Sequence, residues 1–313
     1  MTKKLFISNY VGLASRFETL AMAFMIKDYF GHEIILDWPD LDDFNVLETK
    51  KGKLWPQYRL NWFKILNYKH PNDFLRLQQK KYLSLRTQYG PPDYLLNKYY
   101  LSSYRKIKLN PNHIINIIDF FKQAEHRPIV GVHIRRGDFI LEGEDSYNAT
   151  RQESLSVPTW WYVHVMNEIK KREPNVSFFV SYTGSESDYP EIFDNFDCLT
   201  YEPHFQYSDN SKGHYSDKHA VIDLFALACC KMIIASPCSS FSHVAVNALG
   251  SESIAILPKN KMNKNKPEYG VMSLWGRQAR NIWYDSCRSN ENWKLINSTK
   301  HLPDLSQPDL SWF

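Results

Sequence analysis

Pro128-Ile129-Val130-Gly131-Val132-His133-Ile134-Arg135-Arg136-Gly137-Asp138 is the stretch from which the rest of the chain is read. The apolar run 129–134 is rich in β-branched residues and too short for a helix of its own, so it reads as a buried strand. Side chains alternate along a strand. This predicts Val130, Val132 and Ile134 on one face and Gly131, His133 and Arg135 on the other. Gly137 permits a tight turn, from which Arg136 and Asp138 project just past the strand's carboxyl end. In an open α/β sheet that edge is where ligands bind, and two guanidiniums there form a fork-shaped receptor for phosphate oxygens. The plainer alternative is a surface turn whose arginines pair with neighbouring acids.

Downstream, strands are predicted at 129–134, 176–181, 197–201, 232–235 and 253–257. Helices are predicted between them at 158–171, 186–195, 220–230 and 240–249. Such alternation requires a parallel sheet with right-handed crossovers. The polar loop 142–156 has a mobile-looking composition. Upstream, a strand at 5–10, a helix at 14–30 closed by Gly31 and a strand at 33–38 form a β-loop-α-β start. Backbone amides in its first turn, 11–16, can face an anion at the helix start. Residues 51–110 are basic, aromatic and interrupted by prolines, which predicts short helices in an insertion suited to an acceptor-binding surface. Asn110 and Pro111 open a further helix as cap and first residue. The boundary is expected near 125–128, giving an α/β domain over 1–125 and a second over 126–313.

The segment His133-Ile134-Arg135-Arg136-Gly137-Asp138-Phe139 resembles the His-x-Arg-Arg-x-Asp signature of the GDP-fucose-dependent fucosyltransferases, closest to the α1,2 group and related to the α1,6 group. A second segment, 223–242, resembles that superfamily's later motif, in which a helix carrying an Asp leads into a strand and then a Ser-Ser-Phe-Ser loop. The resemblance implies two facing Rossmann-like domains of the GT-B glycosyltransferase type. It also implies inverting transfer of L-fucose from GDP-β-L-fucose to a hydroxyl of an acceptor glycan. The nucleotide-sugar contacts carried over are His133, Arg135, Arg136, Asp223, Ser239, Ser240 and Phe241, with Asp223 on the guanine edge. The turn 11–16 resembles the superfamily's glycine-rich N-terminal loop, although Ala14-Ser15-Arg16 replaces part of it; Gly12 and Arg16 are the contacts carried over there. Ser-His-Val follows Phe241 where the α1,2 group has aromatics, which separates this chain from that group's pattern.

Charge develops on a GDP leaving group as its bond to the sugar breaks, and prepositioned cations and amides stabilise it. Arg135 and Arg136 can do this without a metal or cofactor. Asp138, beside them, is the first candidate for a general base, with Glu18, Glu142 and Glu144 as alternatives. Asp40-Leu41-Asp42 follows a predicted strand and suggests a rival, metal-dependent glycosyltransferase in which the carboxylates hold a diphosphate-bridging cation; acidic loop residues are the plainer reading. A third possibility is a non-catalytic glycan-binding module on the same kind of fold.

The bulk composition fits these readings. A chain of 313 residues can bury two cores. A net charge of +4 is compatible with an anionic ligand but is not a nucleic-acid footprint. Five cysteines, two adjacent at 229 and 230, point to reduced thiols. With no signal-peptide run at the start and no membrane-spanning stretch, a cytoplasmic protein is expected, free or at the inner membrane face.

Overall fold

The computed structural model describes residues 2–8, 11–53, 74–85, 93–124, 126–136, 145–149, 155–201, 207–209, 214–216, 219–250, 253–285, 293, 296, 302 and 304–313. The chain divides into two compact units, Met1–Ile114 and Ile115–Phe313. The division falls earlier than the expected 125/126 boundary. It cuts the helix Pro111–Lys122, whose second half packs Phe120 and Phe121 on Phe179 of the second unit.

The first unit contains strands β1 (Lys3–Ser8), β2 (His32–Asp37), β3 (Phe44–Val46), β4 (Lys50–Lys51), β5 (Tyr82–Leu85) and β6 (Ile107–Leu109). Four of them form a parallel sheet in the order β4-β2-β1-β5, while β3 and β6 pair antiparallel. Helix α1 (Leu13–Phe30) makes the crossover from β1 to β2 and is buried along nearly its whole length. It packs against helix α2 (Asp93–Tyr104). Gly31, at φ 72°, closes α1 in the left-handed conformation that glycine adopts without a Cβ clash. Residues 51–110 therefore hold more than short helices, because Tyr82–Leu85 completes the first sheet beside β1.

The second unit opens with the rest of helix α3 (Pro111–Lys122), whose start is capped by Asn110 Oδ1 accepting from the Asn112 N–H at 3.0 Å. Its strands are β7 (Ile129–Ile134), β8 (Ser146–Asn148), β9 (Ser177–Tyr182), β10 (Cys198–Leu199), β11 (Tyr207–Asp209), β12 (His214–Ser216), β13 (Met232–Ile234), β14 (Ile254–Pro258), β15 (Lys261–Asn263) and β16 (Tyr269–Met272). Its helices after α3 are α4 (Thr159–Arg172), α5 (Pro190–Phe193), α6 (Ala220–Cys229), α7 (Ser240–Asn247) and α8 (Gly276–Asp285). The main sheet runs β10-β9-β7-β13-β14-β16, parallel except for the antiparallel edge strand β16.

The alternation read from the sequence fixes both faces of this sheet. Val130, Val132 and Ile134 enter a core with Trp161, Tyr162, Val165 and Met166 of α4. On the other face α6 lies so close that a Cβ on Gly131 would sit 2.8 Å from Leu227 Cδ1 and 3.2 Å from Cys230 Cβ. Within the described residues 145–149, β8 pairs with β15 and Tyr147 is buried. Residues 306–313 run under the amino-terminal edge of the sheet. There Ser306 O accepts from the Ile129 N–H at 3.3 Å, Asp309 meets Lys231 at 2.8 Å, and Trp312 stacks on Phe225. The cysteines among the described residues, Cys198, Cys229, Cys230 and Cys238, are free thiols. No described helix is long and apolar enough to cross a membrane.

Candidate functional site

From β7 the chain crosses through α4 to β9 on one side; from β13 it crosses through α7 to β14 on the other. Neighbouring strands whose crossovers leave in opposite directions make a switch point, with a crevice at their carboxyl ends. Both sequence motifs lie there. Arg135 and Arg136 follow β7, while Ser239, Ser240 and Phe241 follow β13 and open α7. The amino-terminal end of α6, which carries the buried Asp223, lies at the same edge because α6 runs back to the start of β13.

At this edge the two strands part. Their ladder ends at Ile233–Gly131 and Ile234–Val132. Beyond it, side chains bridge the gap. The Arg135 N–H donates to Ser236 Oγ at 2.9 Å, and Ser236 Oγ donates to His133 O at 2.8 Å. Tyr162, fully buried on α4, places its hydroxyl 2.8 Å from Ser236 Oγ. The Ser236 N–H donates to Ser242 Oγ at 3.1 Å, which lies 2.5 Å from His133 Nδ1. Phe241 stacks on the His133 ring with centroids 4.8 Å apart. Burial, with the Arg135 charge adding to it, pushes the His133 pKa down to about 3, so the imidazole is neutral. His133 thus supports Arg135 and α7 as an uncharged interior group. Burial also raises the Tyr162 pKa, which keeps its phenol protonated as a donor.

Arg136, two residues past the end of β7, turns toward α4. Arg136 Nη2 donates to Thr159 Oγ1 at 2.7 Å, and its guanidinium lies 5.4 Å from the Tyr189 ring centroid. It therefore stands beside the first residue of α4. Neither α4 nor α7 has a side-chain cap hydrogen bond or an acid in its first turn. Ser239 holds the cap position of α7 without capping it. Two uncapped helix starts and a guanidinium concentrate positive potential at one edge, an arrangement suited to an oxyanion. Cys238, just before α7, has φ 59°, a left-handed conformation that costs a non-glycine residue roughly 1–2 kcal/mol.

Other expected residues lie elsewhere. Arg16 is 1% exposed inside the first unit, where Nη2 bonds Asp40 Oδ2 at 2.6 Å and the guanidinium sits 5.3 Å from the Trp38 ring centroid. It is an interior ion-pair partner in this structure rather than a surface cation. Gly12 is the cap residue of α1 with open space around its Cα. Asp40 and Asp42 do not converge, because Asp42 points outward to Lys51. No group of three or more metal-ligating side chains occurs among the described residues. Glu18 is buried in α1, whereas Gly137, Asp138, Glu142 and Glu144 lie outside the described residues. Sequence marks Ser236 and Ser242 only as members of the motif 223–242, Ser242 within its Ser-Ser-Phe-Ser loop, and nothing local marks Tyr162 or Thr159.

Neither protein-family models nor curated protein sequences give a match. Solved structures do. The α-1,6-fucosyltransferase NodZ of Bradyrhizobium, soaked with GDP-fucose, aligns over 87% of this chain and 99% of its own at 14% identity and a TM-score of 0.52. A mutant of Arabidopsis thaliana FUT1 in complex with GDP aligns over 86% of this chain and 74% of its own at 12% identity and a TM-score of 0.53. POFUT1 in complex with GDP-fucose aligns over 78% of this chain and 93% of its own at 9% identity and a TM-score of 0.52. At these identities the likeness establishes the fold. The chain has the α/β architecture of these GT-B-like fucosyltransferases.

Proposed function

We propose that this chain is an inverting fucosyltransferase that moves L-fucose from GDP-β-L-fucose to a hydroxyl of an acceptor glycan, in α1,2 linkage. The observation that carries the proposal is the meeting of both motifs at one switch point, in a fold shared with fucosyltransferases. In this reading Arg135, Arg136, the starts of α4 and α7, and the Ser239–Ser240 hydroxyls hold the diphosphate. Asp223 selects guanine, and Phe241 with His133 forms the wall behind Arg135. The bond from fucose C1 to the diphosphate oxygen breaks as the acceptor oxygen bonds C1 from the opposite face. The electron pair leaves with GDP, and the acceptor proton passes to Asp138. The charge growing on the departing diphosphate meets cations and amides already in place, so these residues stabilise the transition state more than the ground state.

The second unit binds the donor in this reading and the first supplies the acceptor surface. Gly12 lies at the start of α1, and Arg16 acts only as the internal partner of Asp40. No metal is required by these groups. The rival using Asp40 and Asp42 has to break both of their ion pairs first. The protein is assigned to the cytoplasm, free or peripheral to the inner membrane face, with no nucleic-acid partner.

A thermal-shift comparison of GDP, UDP and ADP tests the donor. GDP alone is expected to raise Tm. Arg135→Ala is expected to shrink that shift to a small but measurable remainder and lower fucosyl transfer about a hundredfold or more, with the wild-type rate unchanged in EDTA. Equal shifts from all three nucleotides, or activity lost to EDTA, would overturn the assignment.

A further inference from the structure

We propose that Ser236, oriented by Tyr162, is the positioning residue for Arg135: its hydroxyl replaces the missing main-chain rung between β7 and β13 and sets how far apart the strands stand where the diphosphate enters. The inference deepens the donor-site reading and rests on it.

The hydrogen-bond inventory supports this role. A serine hydroxyl has one donor and two acceptor positions. Here Ser236 Oγ donates to His133 O at 2.8 Å, accepts from the Arg135 N–H at 2.9 Å and shares a hydrogen bond with the Tyr162 hydroxyl at 2.8 Å. Three partners surround the hydroxyl, which holds it in place between the strands. The Tyr162 hydroxyl also lies 3.2 Å from His133 O, which draws β7, β13 and α4 together at one point. The Ser236 N–H is fixed through Ser242 Oγ, so the hub is anchored from its backbone side as well. Ser236 is 2% exposed and Tyr162 is fully buried, which confines their action to what they hold in place. Arg135 is only half-buried. Its backbone is therefore pinned by an interior hydroxyl at the carboxyl end of β7. A displacement of about 1 Å in a group that orients a reacting ligand can cost up to about a hundredfold.

Two measurements decide the matter. On the ligand-free protein, amide exchange at Arg135 is slow in wild type and Ser236→Thr, and fast in Ser236→Ala. By calorimetry with GDP, Ser236→Ala binds about tenfold to a hundredfold more weakly than wild type, and Ser236→Thr recovers most of the loss. Tyr162→Phe, which keeps the packed ring, gives a smaller loss in the same direction. In an Arg135→Ala background neither change weakens GDP further, because both act through that side chain. Losses that persist in that background, or unchanged exchange at Arg135 in Ser236→Ala, would overturn the proposal. Should wild type not bind GDP while the exchange pattern holds, the donor reading fails and the strand-fixing role of Ser236 stands.

Discussion

Replacing Asp40 tests how the first unit is built. The Arg16–Asp40 pair is closed at 2.6 Å with both partners almost wholly buried, and Arg16 Nε and Nη1 have no hydrogen-bond partner among the described residues. At 2.6 Å and an effective dielectric near 20, the Coulomb attraction is about 6 kcal/mol before desolvation is subtracted. Deleting one partner of such a pair leaves an uncompensated interior charge and costs about 3–5 kcal/mol. Asp40→Ala is expected near the upper end of that range. Asp40→Asn, which retains an acceptor oxygen, is expected near the lower end. For a unit of this size the loss corresponds to a fall in Tm on the order of 15–25 °C. Differential scanning calorimetry reads it, with the second unit's transition as internal reference. Arg16→Met combined with Asp40→Leu should restore most of the loss, since a well-packed apolar pair can match a buried ion pair. Should Asp40→Ala melt within about 5 °C of wild type, or the double variant fare worse than the single one, the reading of Arg16 as an interior charge dependent on Asp40 would be refuted.

Gly131→Ala pushes a methyl group into Leu227 of α6 and Cys230 just after it, and should destabilise the second unit by about 1–3 kcal/mol, read from urea midpoints. His133, held near pKa 3 in the fold against an ordinary 6.5, takes up a proton on unfolding between those values. Its contribution is complete above pH 6.5 and is lost as pH falls toward 3, at up to about 1.4 kcal/mol per pH unit. His133→Gln should accordingly flatten the acid limb of a Tm-against-pH curve. Trp312→Ala removes the stack on Phe225 and the cover over Gly250, with an expected cost of about 1–2 kcal/mol and faster alkylation of Cys229 by a thiol reagent.

The second sheet was legible because its strands are short apolar runs separated by amphipathic or apolar helices, so periodicity alone placed β7, β9, β13 and β14. The faces of β7 followed from strict alternation. Tyr82–Leu85 is harder to find, because four residues between Lys81 and Arg86 carry little periodic signal, and its place in the sheet depends on β1. β8 has its partner at Lys261–Asn263, far along the chain, so no local signal announces it; the rest of the loop expected to be mobile, 142–144 and 150–154, lies outside the described residues. Arg16 beside Gly12 read as a ligand contact because the acid that claims it lies across the β1–α1–β2 crossover. Tyr162 lies in the core, and only the parting of β7 from β13 gives its hydroxyl a further task.

The strap formed by residues 306–313 has a practical consequence. It runs beneath the amino-terminal edge of the second sheet, opposite the crevice, and its last two rings, Trp312 and Phe313, stack on one another there. A biotin or surface tether attached at the exposed position 311 therefore leaves the second unit from the side away from the anion-receptive edge. A sensor chip loaded through that tether would present the crevice to flowing nucleotide.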